Sequence, residues 1–362
     1  MTIKVLALTR YGPLGSSSRL RMLQYIPALE AAGFSVKTHM MFNDATLSAR
    51  YTNSGYGALT LAACFAQRLA QLWRSNTFDL IWIEKEALPW CPLWLEKLLL
   101  SKVPYVLDFD DAVFHHYDQH RLSIVRSFFG KRIDHLMAGA SLVICGNEYL
   151  ADRARQAGAP CVQRLPTVID LDRYPLTHLV DHGVTRIVWI GSPSTVKYLD
   201  QIRRPLAELA RTTEFVFRII GGQAELDGVR TECLPWTQDS EVIALMESDI
   251  GVMPLSDTDW ERGKCGYKLI QYMACGLPVI ASPVGMNSAI VKQPDNGLLA
   301  ARESDWAAYL KLLVDDRQRR LLMGQRGRAL VEQQYCLQVT APRMTEMLRD
   351  AASMSSPSHV AH

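Results

Sequence analysis

An α/β architecture of two successive Rossmann-like domains is the fold this sequence predicts, and three observations predict it. Short apolar, β-rich runs alternate with amphipathic stretches of helical period, the pattern of parallel sheets linked by helices. The rhythm lapses in a polar stretch over 177–185 and then restarts. Each half opens with a strand that runs into a loop of small residues, and 362 residues suit two domains of ~100–200 each.

In the first half, strands are expected at 3–9, 34–40, 79–84, 104–108 and 141–145, with helices near 18–32, 57–74, 90–100, 119–138 and 147–157. In the second, strands are expected at 186–190, 214–219, 249–253, 278–281 and 298–300. Helices follow near 198–211, 239–247, 266–275, 303–315 and 316–334. This divides the chain into an N-terminal domain over 1–176, a linker over 177–185 and a C-terminal domain over 186–335. A last helix over 336–350 and a Ser-rich, disordered tail over 351–362 complete it. Two such sheets are expected to face each other across a cleft, with ligands beyond the carboxyl ends of the strands.

Composition narrows the function. The chain has 39 Lys+Arg against 37 Asp+Glu, and a net charge of +2 is too small to mark a nucleic-acid binder, so no nucleic-acid partner is expected. Residues 1–180 carry 19 basic and 15 acidic residues and 181–362 carry 20 and 22, so the slight basic excess lies on the side suited to acceptor or membrane contacts. The eight cysteines show no CxxC and no His pair at metal spacing, which reads as reduced, mostly buried thiols of a cytoplasmic protein. No run reaches ~18 apolar residues, so none is expected to span a bilayer, and the apolar run 5–8 is too short for a secretory signal.

Two loops invite an anion. The first is Gly12-Pro13-Leu14-Gly15-Ser16-Ser17-Ser18-Arg19, between a strand and a helix expected to be capped by one of the serines. Gly15, Ser16, Ser17, Ser18 and Arg19 form an anion cradle or a plain turn, and GxGxxG is absent. The second is Gly191-Ser192-Pro193-Ser194-Thr195 with Lys197, where backbone N–H groups and a cation follow a strand. The richest segment runs from Trp260 to Val279. There a basic, Gly-containing loop with Lys264 and Gly266 enters a helix with Lys268 and Gln271 at i,i+3 spacing. This arrangement offers cations and a helix start to a diphosphate and Gln271 to a sugar hydroxyl; solvated surface lysines are the alternative.

The stretch 267–282, with its Met273-Ala274-Cys275-Gly276-Leu277-Pro278-Val279 run, resembles the signature of glycosyltransferase family 4, retaining enzymes of GT-B fold. Leu165-Pro166-Thr167-Val168-Ile169-Asp170, Asp249 to Leu255, and Ser282 to Leu298 resemble further family segments in order. The resemblance implies a nucleotide-diphosphate sugar held by the second domain, no cofactor, metal-independent chemistry and a sugar or lipid-linked acceptor on the first domain. It also implies retention and work in bacterial surface polysaccharide or glycolipid assembly, on the cytoplasmic side and in possible contact with the inner membrane face. Lys197, Lys264, Lys268 and Asp110 are the catalytic candidates; Gly191, Ser192, Pro193, Ser194, Trp236, Gly266 and Gln271 are the donor-binding ones.

The sequence departs from the family where its paired glutamates should stand. Gln271 occupies the ribose-side position, Gly263 occupies the first, and Glu261 lies two places out of register. Asp108-Phe109-Asp110-Asp111 at a strand end admits a divalent-cation site, a contact to acceptor or sugar, which is preferred, or a buried ion pair. His115 and His116 lie just beyond. The segment 88–100, with Trp90 and Trp94, and the nearby Phe128-Phe129-Gly130-Lys131-Arg132 could rest on a membrane, although a core helix is the favoured reading. Competing functions are a non-catalytic sugar-nucleotide-binding subunit, a nucleotide-sugar epimerase and an NAD-dependent enzyme, the last disfavoured by the missing fingerprint.

Overall fold

The computed structural model describes residues 2–53, 56–175 and 183–354. The expected linker residues 177–182 and the expected tail from 355 onward lie outside the described residues. The chain divides into two compact units, Met1–Thr167 with Thr340–His362, and Val168–Val339.

The first unit contains strands β1 (Ile3–Tyr11), β2 (Phe34–Phe42), β3 (Leu80–Glu84), β4 (Tyr105–Phe109), β5 (Leu142–Cys145) and β6 (Val162–Arg164). Among the described residues they form one parallel sheet in the order β2-β1-β3-β4-β5-β6. Helices cover both faces, so the central strands read as continuous apolar runs, and Val5 to Leu8 and Leu80 to Ile83 are buried. The strand order reverses between β1 and β3, the switch point where open α/β sheets leave a crevice at their carboxyl ends.

The second unit repeats the design with β7 (Thr185–Ile190), β8 (Phe215–Ile220), β9 (Thr231–Leu234), β10 (Ile250–Met253), β11 (Val279–Ala281) and β12 (Gly297–Leu299). Its parallel order is β12-β11-β10-β7-β8-β9, with the switch point between β7 and β10. The helix Tyr267–Ala274 packs on this sheet: the Ile190 backbone N–H donates to the Tyr272 hydroxyl at 3.0 Å, and that hydroxyl lies 3.3 Å from the Val252 carbonyl.

Several expectations are corrected. Both sheets hold a sixth strand, β6 and β9, absent from the sequence reading. They are short edge strands, and β6 is largely exposed, so neither shows the apolar run that marks the inner ones. The chain enters the second unit at Val168, not after 176, because Ile169 and Tyr174 are buried in the second unit's core and Ile169 bridges Cys336. The last helix runs over Leu337–Ser353, past the expected 350, and from Thr340 onward belongs to the first unit, where Tyr25 and Thr340 share a 2.9 Å hydrogen bond. Ser192 precedes a 3₁₀ stretch, Pro193–Gln201, and the α-helix follows at Arg203–Ala210. All eight cysteines are free thiols; four are buried and Cys233 is exposed.

Buried charge marks the first unit. Arg21 Nε meets Asp108 at 2.7 Å. Arg132 lies between Glu86 at 3.4 Å and Glu96 at contact distance, and it also donates to the Leu88 carbonyl. Tyr117 donates its hydroxyl to Glu86 as well.

Candidate functional site

At the switch point of the second unit, β7 ends in Trp189-Ile190 and Gly191 follows it. The Trp189 ring is buried, and the Lys268 ammonium sits 4.3 Å from its centroid, a cation over an aromatic face. Lys268 is in the first turn of the helix Tyr267–Ala274, which Gly266 opens with a left-handed φ of 67°. The Lys264 ammonium lies in the loop before it, 5.7 Å from the Trp260 ring. The two lysines thus lie on loop and helix, as expected, and are electrostatic neighbours. Burial first, and the Lys264 charge second, lower Lys268 to about 7. Among the described residues Lys268 forms no ion pair with a carboxylate. Low-dielectric surroundings and the adjacent helix start both favour an anion beside the Lys268 ammonium.

Gly191 makes this approach possible. A Cβ there would come within 2.5 Å of the Trp189 ring and 2.7 Å of Lys268 Nζ. The lysine end could swing away, but the indole is locked in the core. Gly191→Ala is therefore expected to destabilise the second unit by about 1–3 kcal/mol through overpacking and to weaken diphosphate binding. Thermal melts with and without nucleotide would check it, and an unchanged pair of melting points would contradict the packing account.

The other donor-side candidates separate into those near this loop and those turned inward. Ser192 and Ser194 share a 2.9 Å hydroxyl contact just after Gly191, and Pro193 starts the 3₁₀ stretch. Lys197 is exposed, with its ammonium 5.3 Å from the Tyr198 ring. Trp236 donates its indole N–H to Glu241 at 2.8 Å. Gln271 is buried and donates to the Tyr174 hydroxyl at 3.1 Å, so its amide is engaged in the unit's interior. Glu261 is also buried. Burial alone would raise its carboxyl, but donation from Thr258 and Tyr198, with Lys264 nearby, carries it below the usual range. Glu261 therefore ties the short helix Asp259–Arg262 to the 3₁₀ stretch.

In the first unit, the loop after β1 uses its own amides. Tyr11 N–H donates to Ser18 Oγ at 3.0 Å, Leu14 N–H to Asp44 at 3.2 Å, and Arg10 N–H to Glu84 at 2.7 Å. Gly15 caps the helix Ser16–Arg21, and no serine does so. Ser18 donates to Glu84 at 2.6 Å, and Arg19 donates to the Pro13 carbonyl at 2.6 Å. Carboxylates of the same unit thus accept from Arg10, Leu14 and Ser18 and brace the loop as a turn.

Asp110 and Asp111 enclose an ammonium. Lys85 Nζ lies 2.9 Å from Asp110 and 3.4 Å from Asp111, and it donates to Ser17 Oγ at 3.1 Å. Burial alone would raise the Asp110 carboxyl; Lys85 and the Ser17 hydroxyl bring it below its usual range. Asp110 therefore takes part in an ion pair, one of the three alternatives for this segment. Lys85 itself has a φ of 64°, which is strained for a side chain with a Cβ. His115 lies between Asp118 and the Tyr149 hydroxyl, each at 2.8 Å, and burial with Arg10 and Lys85 nearby lowers His116. Sequence reasoning missed Lys85 and Trp189, which read there as ordinary residues within or just after a strand.

Residues 184–316 match the family described as Glycosyl transferases group 1. The matched stretch lies within the second unit. A D-inositol 3-phosphate glycosyltransferase of Pseudarthrobacter chlorophenolicus is 32% identical over 166 residues, covering 41% of this chain and 38% of that protein. One of Rhodococcus jostii is 28% identical over 159 residues, covering 38% and 34%. The chain thus spans well under half the length of these curated relatives. Over nearly its whole length it is similar to two solved structures. Anabaena HepE in complex with UDP has a TM-score of 0.71 at 16% identity, covering 97% of this chain and 100% of that one. Sucrose-phosphate synthase of Thermosynechococcus elongatus has a TM-score of 0.75 at 15% identity, covering 98% and 100%. The fold of two parallel-sheet units is the GT-B fold.

Proposed function

We propose that this chain is a glycosyltransferase that takes a sugar from a nucleoside-diphosphate donor bound by the second unit and passes it to a sugar or lipid-linked acceptor. The observation that carries this reading is Lys268, a cation that pairs with no carboxylate among the described residues, against Trp189 at the switch point of the unit that matches the group 1 glycosyltransferase family. When the bond from the anomeric carbon to the diphosphate breaks, negative charge grows on phosphate oxygens. The Lys268 ammonium, with Lys264 close by, stabilises that charge, and N–H groups at Gly266 and Tyr267 add the field of the helix start. Uridine is the first base to test, because HepE was crystallised with UDP. Retention of configuration, action in the cytoplasm and a place in surface polysaccharide or glycolipid assembly belong to the same proposal. So does metal-independent chemistry, supported by the Lys85 ammonium standing between Asp110 and Asp111.

A melting series with UDP, GDP and ADP, each with and without EDTA, tests the donor half of this reading. A ligand at 100 times its dissociation constant stabilises by about 2.7 kcal/mol, and the shift is expected with one nucleotide and to survive EDTA. No shift with any nucleotide would overturn the reading, and a shift abolished by EDTA would overturn metal independence. The Lys268 pKa adds a sign. Free Lys268 loses its proton near pH 7, and a bound diphosphate restores it, so binding above pH 7 takes up a proton. UDP affinity should fall as pH rises through 7 to 9. Calorimetry at pH 8 in two buffers of different ionisation enthalpy should then give different binding heats.

A second reading, a sugar-nucleotide-binding subunit without transfer, has one observation behind it. Gly263 stands where the family carries a glutamate, and the neighbouring Glu261 carboxylate is already held by Thr258 and Tyr198. Nucleotide binding without transfer or donor hydrolysis would favour it. Donor turnover in the absence of any acceptor would favour the epimerase reading instead.

A further inference from the structure

The favoured reading of segment 88–100 as a core helix does not describe its outer face. The helix Leu93–Leu100 buries Glu96, Leu99 and Leu100, but Trp94 is 67% exposed and Leu98 57% exposed. Two more elements of the first unit expose comparable groups: the helix Ala58–Trp73, where Trp73 is 68% exposed, and the helix Ser123–Phe129, where Phe128 is 77% exposed. These faces are linked. The Lys102 ammonium lies 5.3 Å from the Trp73 ring, and the half-exposed Trp90 ring lies 6.1 Å from Phe129.

We propose that this aromatic and basic face of the first unit docks on the surface of an anionic phospholipid bilayer. Charge selects that occupant. The stretches 58–74, 90–102 and 120–131 expose Arg74, Lys97, Lys102, Arg121, Arg126 and Lys131. Of the carboxylates in or beside them, Glu96 is buried against Arg132, and Asp118 and Asp134, which line one surface pocket with Arg126 and Lys131, are both paired with Arg153. Indole and phenyl rings settle at the headgroup level while lysine and arginine stems reach toward lipid phosphates, the arrangement of in-plane membrane binding. A second copy on a two-fold axis would bring like charge against like charge. No helix among the described residues is long and apolar enough to cross a membrane, so the contact is a surface one. The inference stands independently of the donor reading.

Flotation of the full chain with vesicles tests it, comparing phosphatidylcholine alone with a mixture containing phosphatidylglycerol. Binding is expected to the anionic vesicles only, to weaken as salt is raised from 50 to 500 mM, and to resist 10 mM inorganic phosphate. Lys97→Glu with Lys131→Glu is expected to weaken binding at least ~25-fold, from about fivefold for each basic group removed. Trp94→Ser with Phe128→Ser should weaken it ~tenfold or more. All four side chains are exposed, so melting points and nucleotide shifts should stay unchanged, which separates a lost surface from a lost fold. Absence of flotation with anionic vesicles would overturn the proposal, as would binding that both double variants retain. A dimer seen by light scattering that Trp94→Ser dissolves would assign the face to a second copy and overturn it as well.

Discussion

Lys268→Ala is expected to abolish transfer while leaving the unliganded protein as stable as before, or slightly more so. The two halves of that result come from one fact: the ammonium occupies a low-dielectric position beside Trp189 and near Lys264, without a carboxylate partner. In the free protein this is unfavourable. An unfolded chain keeps a lysine protonated to about pH 10.5, whereas the folded one releases that proton near 7, so folded stability rises between those values and the charged form costs stability below them. Alanine removes that cost. In the transition state the same charge faces the departing diphosphate, and losing one such preorganised donor typically costs 10²–10³ in kcat. Lys197→Ala, at an exposed position, should have a far smaller effect. Lys264→Ala should act in part through its neighbour, raising the Lys268 pKa and moving the alkaline limit of UDP binding upward. Measured kcat/KM for Lys268→Ala within about fivefold of the parent would remove Lys268 from the reaction. A collapse in melting point without ligand would instead assign it a structural role.

Lys268 was visible in the sequence as a basic residue at a helix start after a glycine loop, where a solvated surface lysine was the alternative. The rest of the site was less so, since its partners come from distant positions. Asp44 closes the first loop from 30 residues away, and Glu84 takes Ser18 from 66 residues away, so the loop read alone left cradle and plain turn both open. Lys85 fills the space between Asp110 and Asp111, and a DxD pattern carries no sign of the ammonium that occupies it. Gln271 matched a family position by register, while its actual neighbour, Tyr174, lies 97 residues earlier. The inner strands were readable because two helix-covered faces demand continuous apolar runs. The edge strands β6 and β9 were not, because an edge can be short, half-exposed and polar. Helical period located the segment around Trp94 but gave no reason to place the indole outside, since two tryptophans one turn apart suit a core equally well.

Arg132→Met is the second large effect expected, and it falls on stability. The guanidinium is fully buried, bonded to Glu86, Glu96 and the Leu88 carbonyl. It therefore holds the segment from Lys85 to Trp90, whose two end residues both adopt positive φ, 64° and 63°. Such backbone strain persists only where surrounding contacts over-determine it. Removing the cation strips the buried Glu96 of its ion-pair partner and leaves Glu86 with Arg10 at 3.9 Å and the Tyr117 hydroxyl; a broken buried pair typically costs 3–5 kcal/mol and would lower the melting point of a unit this size by roughly 10 °C. The pH dependence follows from Glu96, which burial raises to about 7 even with Arg132 opposing the shift. A carboxyl with a raised folded pKa binds a proton that the unfolded chain has already lost, so its contribution to stability declines as pH rises from 4.5 through 7. Without Arg132 the folded pKa rises further, and the variant should recover part of its lost stability near pH 5. Glu96→Gln added to Arg132→Met removes the stranded charge and should restore part of the loss at pH 7.5. If the single variant melted within 2 °C of the parent at every pH, Arg132 would not be what holds the strained segment. If the double variant were no more stable than the single one, the loss would be one of packing, not of charge.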